Sequence, residues 1–160
     1  MKIVPVDEIP NEMLDVPIED LRSIFDTGKQ METICLENNG IGVSAPQVGI
    51  PWNFFVYQDE DKKFHYMVNC TYEPLSENKF SGIEGCLSLL DPKGKPRRFK
   101  VLRFFDIKVS GYELVFEEKL ELQKFKKVFN PSMESVIFQH EIDHQKGILI
   151  SEIGEEVQIF

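Results

Sequence analysis

His140-Glu141-Ile142-Asp143-His144 sets two imidazoles four residues apart, with a carboxylate next to the first. In a helix this spacing puts both rings on one face, one turn apart. Two such rings hold one metal ion, and Glu141 reaches a water at that ion to take its proton. A hydrolytic site of this kind takes three ligands from the protein and leaves one position for water. The third ligand is open among His65, an acidic side chain and a cysteine. Cys86 stands out, because it lies in Glu84-Gly85-Cys86-Leu87-Ser88, where Gly85 permits close backbone approach. A thiolate leaves the ion less positive than a third neutral imidazole does, and it suits a softer or redox-active metal. A further segment, Gly40-Ile41-Gly42-Val43-Ser44-Ala45-Pro46-Gln47, ends in an amide donor fit to polarise a carbonyl or hold an oxyanion. It lacks the third glycine and the strand-before-helix setting of a phosphate loop.

Rigid elements must position these groups. Met133, Val136, Ile137, His140 and His144 recur at helical spacing, so the histidines continue an apolar face. Asn130 and Pro131 suit the cap and first position of that helix, and Gly147 suits its end. Ile18, Leu21, Ile24, Phe25, Met31, Ile34 and Cys35 predict an earlier helix from Pro17 to Asn39, with Gly28 inside it. Between the helices, apolar residues alternate. Phe54 and Val56 do so, then Phe64, Tyr66 and Val68, then Phe105, Ile107 and Val109, then Leu114 with Phe116 and Leu120 with Leu122. Asp91 to Pro96 is a turn-rich loop, and the basic run from Lys93 to Lys100 reads as solvated. The class is α+β: mostly antiparallel sheets packed around a central H-E-x-x-H helix, with an N-terminal helix.

Residues 1–160 fit a single domain with a buried core. With 18 Lys+Arg against 27 Asp+Glu, the net charge of −9 argues against direct nucleic-acid binding. No apolar run is long enough to span a membrane. The opening residues lack a signal-peptide core. Cys35, Cys70 and Cys86 cannot all pair, which favours a reducing, cytoplasmic setting.

Taken in order, Gly40–Gln47, Glu84–Ser88 and Gln139–Gly147 resemble the motifs of peptide deformylases, which read GxGLAAxQ, EGCLS and QHExDH. This chain has GIGVSAPQ, EGCLS and QHEIDH. The similarity also takes in the opening helix and the Met67-Val68-Asn69 strand, so it spans nearly the whole chain. The resemblance implies one divalent ion per chain held by Cys86, His140 and His144, typically Fe(II), with Zn, Ni or Co able to replace it. It implies removal of the N-formyl group from the formylmethionine of newly made polypeptides, releasing formate. Glu141 would be the base toward water and then the acid toward the leaving amine. Gln47 and the Leu87 N–H would hold the oxyanion. Ile41, Gly42 and Gly85 would pair with the substrate backbone as an added strand, with Val43 beside them. Met133, Val136 and Ile137 would line an apolar slot for methionine. Arg103 fits the family's R-x-x-x-apolar-x-apolar form and is the candidate for a further substrate contact, with Arg97 and Arg98 competing.

Some positions depart from the family pattern. Val43-Ser44 replace Leu-Ala, Cys70 replaces Pro and Gln145 replaces Leu. The segment after Gly147 is short and acidic, which argues against ribosome docking by a C-terminal helix and is reminiscent of phage-encoded or compact bacterial members. A cytoplasmic monomer acting on nascent formyl-Met peptides is the expectation. Two other readings stand beside it. An ordinary H-E-x-x-H zinc protease needs a third His or Glu, and no His follows His144. A binding protein that kept the fold would have lost Glu141, Gln47 or a ligand, and all are present.

Overall fold

The computed structural model describes residues 1–158; Ile159 and Phe160, which end the acidic segment, lie outside the described residues. The elements run α1 (Leu21–Glu37), β1 (Gly42–Ser44), β2 (Phe54–Gln58), β3 (Phe64–Pro74), β4 (Lys79–Glu84), β5 (Arg98–Phe104), β6 (Ile107–Phe116), β7 (Leu120–Phe129), α2 (Met133–Gln145), α3 (Ile150–Ile153) and β8 (Glu155–Val157). All strand pairs within the two sheets are antiparallel. A five-stranded sheet runs β1-β2-β3-β6-β7 and a three-stranded sheet runs β4-β5-β8. The α+β class expected from the sequence is the one observed.

The large sheet is buried on both sides. Ile24, Met31 and Ile34 of α1 join Val43, Phe54, Val56 and Val68 in one cluster. Phe138 and Ile142 of α2 join Phe55, Met67, Val109 and Phe129 in another. This explains β2, where Phe54 to Tyr57 are all buried and the alternation expected of a half-exposed strand disappears. A third cluster, with Leu89, Phe99, Val101, Leu149 and Ile150, lies under the small sheet. No helix among the described residues is long and apolar enough to cross a membrane.

Several boundaries differ from the sequence reading. Helix α1 begins after Asp20, whose carboxylate accepts from Ser23 N at 3.0 Å, so the helix starts later than Pro17. Helix α2 is capped by Ser132, which accepts from Ser135 N at 3.0 Å, and not by Asn130. Phe105 sits in the turn between β5 and β6, not in a strand. The end of the basic run, Arg98 to Lys100, is strand β5 and not a loop. Part of the acidic segment forms β8, pairing Glu155, Glu156 and Val157 with Lys100, Phe99 and Arg98.

Gly28 is where α1 touches the sheet. A Cβ built there would lie 2.4 Å from a Tyr66 ring carbon. That ring is held by Phe25 and Phe54, with centroids 6.0 and 6.1 Å away. Gly28→Ala gains about 1 kcal/mol of helix propensity. It also overpacks the core, at about 1–3 kcal/mol. We expect a lower urea midpoint for this variant; an unchanged or higher midpoint would show that the ring yields.

Candidate metal centre

On helix α2, His144 is buried and His140 is half-buried at the cleft. The turn after β4 delivers Cys86 to them, with Sγ 3.7 Å from His144 Nε2. One ligand atom from each of Cys86, His140 and His144 lies within 4.8 Å of the other two. The outward nitrogens are both engaged. His140 Nδ1 is 2.9 Å from Glu84 Oε1, and His144 Nδ1 is 3.0 Å from Ser44 Oγ. Such outer partners orient imidazoles toward a metal.

Glu84 is itself anchored. Arg103 donates to it through Nε at 2.8 Å and Nη2 at 2.6 Å, and through Nη1 to Asp143 Oδ2 at 2.8 Å. Tyr72 donates to the other Asp143 oxygen at 2.8 Å. Burial opposes ionisation of Glu84, but Arg103 and His140 outweigh it and hold the carboxyl down at about 2. Burial pushes the Cys86 thiol up, but the facing rings of His144 and His140 bring it down to about 6. Burial depresses His140 and His144 in turn. Cys86 and Glu84 raise the first to about 9, while Glu141 and Cys86 raise the second to about 10. The two imidazoles thus favour the thiolate form of Cys86, the form in which a cysteine ligates a divalent cation.

Glu141 is 2% exposed, and its Oε2 has no hydrogen-bond partner among the described residues. That oxygen faces Gly42, where an added Cβ would sit 3.4 Å away. Gln47 lies in a 3-10 turn, Ala45–Val48. Its Nε2 is 3.3 Å from Cys86 Sγ and 3.0 Å from Ser88 Oγ. A cysteine sulfur, two oriented imidazoles and a buried carboxylate whose Oε1 lies 3.8 Å from His140 Nε2 fit a divalent ion and the chemistry it supports.

The site opens on a cleft of about 340 Å³. Ile41, Gly42, Gln47, Gly85, Cys86, Leu87, Met133, Val136, Ile137, His140 and Glu141 all line it. Two expectations are corrected. Val43 is fully buried in the core against α1 and does not line the cleft. Arg103 is 2% exposed and its guanidinium is taken up by Glu84 and Asp143, so it braces the site from within and does not line the cleft. Arg98 stands on the cleft wall instead. His65, an open candidate for the third ligand, is elsewhere, between Asp59 at 2.7 Å and Glu113 at 3.1 Å. Sequence reasoning missed the supporting roles of Glu84, Asp143, Ser44 and Ser88. The signal for the first two was a carboxylate within or next to each ligand motif.

A cysteine and two helix histidines around a buried glutamate, opening on a cleft, define a metal-dependent hydrolase of the H-E-x-x-H class. The profile of the polypeptide deformylase family matches residues 3–157, and the chain belongs to that family. It is 30% identical over 149 residues to peptide deformylase 1A, chloroplastic, of Solanum lycopersicum, covering 84% of this chain. The chain spans about half the length of that relative, 52%. It is 28% identical over 163 residues to the peptide deformylase of Syntrophomonas wolfei, covering 99% of this chain and 98% of the relative. Among solved structures, a probable peptide deformylase from Synechococcus phage S-SSM7 superposes with TM-score 0.78 at 30% identity, covering 96% of this chain and 99% of that one.

Removing one partner of a buried ion pair leaves the others uncompensated, at about 3–5 kcal/mol. Arg103→Ala is expected to lose that much in urea unfolding and to release metal, because Glu84 no longer holds His140. A variant of near wild-type stability would contradict the anchoring role.

Proposed function

We propose that Glu141, Gln47 and Leu87 carry the reaction of this family, with Cys86, His140 and His144 holding its ion. As a family member the chain is a metal-dependent hydrolase that removes the N-formyl group from formylmethionine of new polypeptides. The single observation that carries the assignment of roles is Glu141: its Oε2 is buried and unpartnered among the described residues, and its Oε1 lies 3.8 Å from His140 Nε2.

Strands β1 and β4 are each the edge of their sheet, and both lead into the cleft. An extended peptide placed between them pairs with the backbone at Ile41, Gly42 and Gly85. Met133, Val136 and Ile137 offer its first side chain an apolar wall. When bound, a divalent ion supplies Lewis-acid polarisation and lowers the pKa of water. Glu141 takes the proton from the attacking water at Oε2 and returns it to the leaving amine. Gln47 Nε2 and the Leu87 N–H donate to the formyl oxygen as it gains charge. The products are formate and a free amino terminus.

The thiolate ligand supports Fe(II) as the resident ion, with Ni, Co or Zn as substitutes. All three ligands come from one chain, which supports action as a monomer. Three free, buried cysteines support a reducing compartment such as the cytoplasm.

The test is formate release from a formyl-Met tripeptide by protein prepared anaerobically with Fe(II) or Ni(II). Wild type should release formate. Glu141→Ala should be slower by about a hundred- to ten-thousandfold while keeping its metal, because Glu141 is not a ligand. Preferential cleavage of internal peptide bonds would contradict the substrate. Metal loss in the variant would contradict the role given to Glu141.

A further inference from the structure

We infer that Ser44 is a positioning residue that sets the hydrogen-bond polarity of the metal site by linking His144 to Gln47. The inference rests on the metal-site reading above and concerns a position where the usual family motif has alanine.

Ser44 is fully buried. Its backbone N–H donates to Gln47 Oε1 at 2.9 Å. A backbone N–H only donates, so the Gln47 oxygen must be the end that faces it. The Ser44 hydroxyl lies 3.2 Å from that same oxygen and 3.0 Å from His144 Nδ1. A hydroxyl has one proton, and Gln47 Oε1 is an acceptor only. The Ser44 proton therefore goes to Gln47, and its lone pairs face His144. Nδ1 of His144 then carries the hydrogen, and Nε2 keeps its lone pair for an ion between it, Cys86 and His140. The same polarity turns the Gln47 amide nitrogen toward Cys86 Sγ at 3.3 Å and Ser88 Oγ at 3.0 Å.

Glu141 Oε1 is the competing acceptor, 3.3 Å from His144 Nδ1. Ser44 is the closer of the two. By taking the imidazole hydrogen it leaves Glu141 free for proton transfer. Ser44 thus prepares three groups without touching substrate: a ligand, an oxyanion donor and the base.

The test uses anaerobic Co(II) binding to the full chain. The thiolate-to-cobalt absorption band and chelator competition supply the readout. Wild type is expected to show the band. Ser44→Ala should weaken the cobalt dissociation constant about tenfold, the scale of lost outer partners at metal sites. In a Gln47→Ala background the hydroxyl has lost its acceptor and no longer fixes the imidazole, so the same substitution should change affinity less than twofold. A merely structural role predicts equal losses in both backgrounds, and that result would overturn the inference, as would wild-type affinity in Ser44→Ala. A wild type without a thiolate band would sink the metal-site reading itself, and the inference with it.

Discussion

One buried cation, the guanidinium of Arg103, holds the site together. It lies on β5 and binds Glu84 at the end of β4 and Asp143 on α2. Glu84 passes the contact to His140, and Asp143 passes it to Tyr72 on β3. Both sheets and the helix that carries the two histidines therefore meet at one charge. Burying a charge is costly unless its partners are close and every hydrogen bond is made. Here three contacts of 2.6–2.8 Å meet that condition. The Cys86 turn follows Glu84 directly, so the arginine fixes the position of the thiolate as well as that of one imidazole.

Around this anchor, the polar groups that flank the three candidate ligands are hydrogen-bonded. The outer nitrogens of both histidines have partners, and both polar ends of the Gln47 amide are occupied. Glu141 Oε2 is the contrast. An unpartnered buried acceptor costs about 1–3 kcal/mol. The fold carries that cost at the atom proposed to receive a proton.

Much of this was legible in the sequence because chemistry and helical spacing coincide there. His140 and His144 four apart, with Met133, Val136 and Ile137 before them, specify a face as well as a ligand pair. Cys86 needed only a flanking glycine to mark a close approach. Arg103 shows where such reading stops. It and Arg98 are five apart on one strand, and an odd spacing sends side chains to opposite faces. One arginine points to the cleft and the other into the interior. Residue type alone does not decide which, because the strand boundaries were unread. The start of strand β5, Arg98 to Lys100, reads as loop because its exposed face carries Arg98 and Lys100. Strand β8 was missed because three residues show no periodicity; β5 alone orders them. The Ser132 cap went unseen for a related reason: Asn130 and Pro131 supplied an equally good local signal two residues early.

The proposed chemistry requires that Cys86, His140 and His144 hold a single divalent ion. X-ray absorption at the zinc edge of zinc-loaded protein tests it directly. The account predicts one equivalent of zinc with one sulfur neighbour at about 2.3 Å and two imidazole nitrogens at about 2.0–2.1 Å. It also predicts that the sulfur contribution disappears in Cys86→Ser. A spectrum without sulfur, or one that Cys86→Ser leaves unchanged, would contradict it.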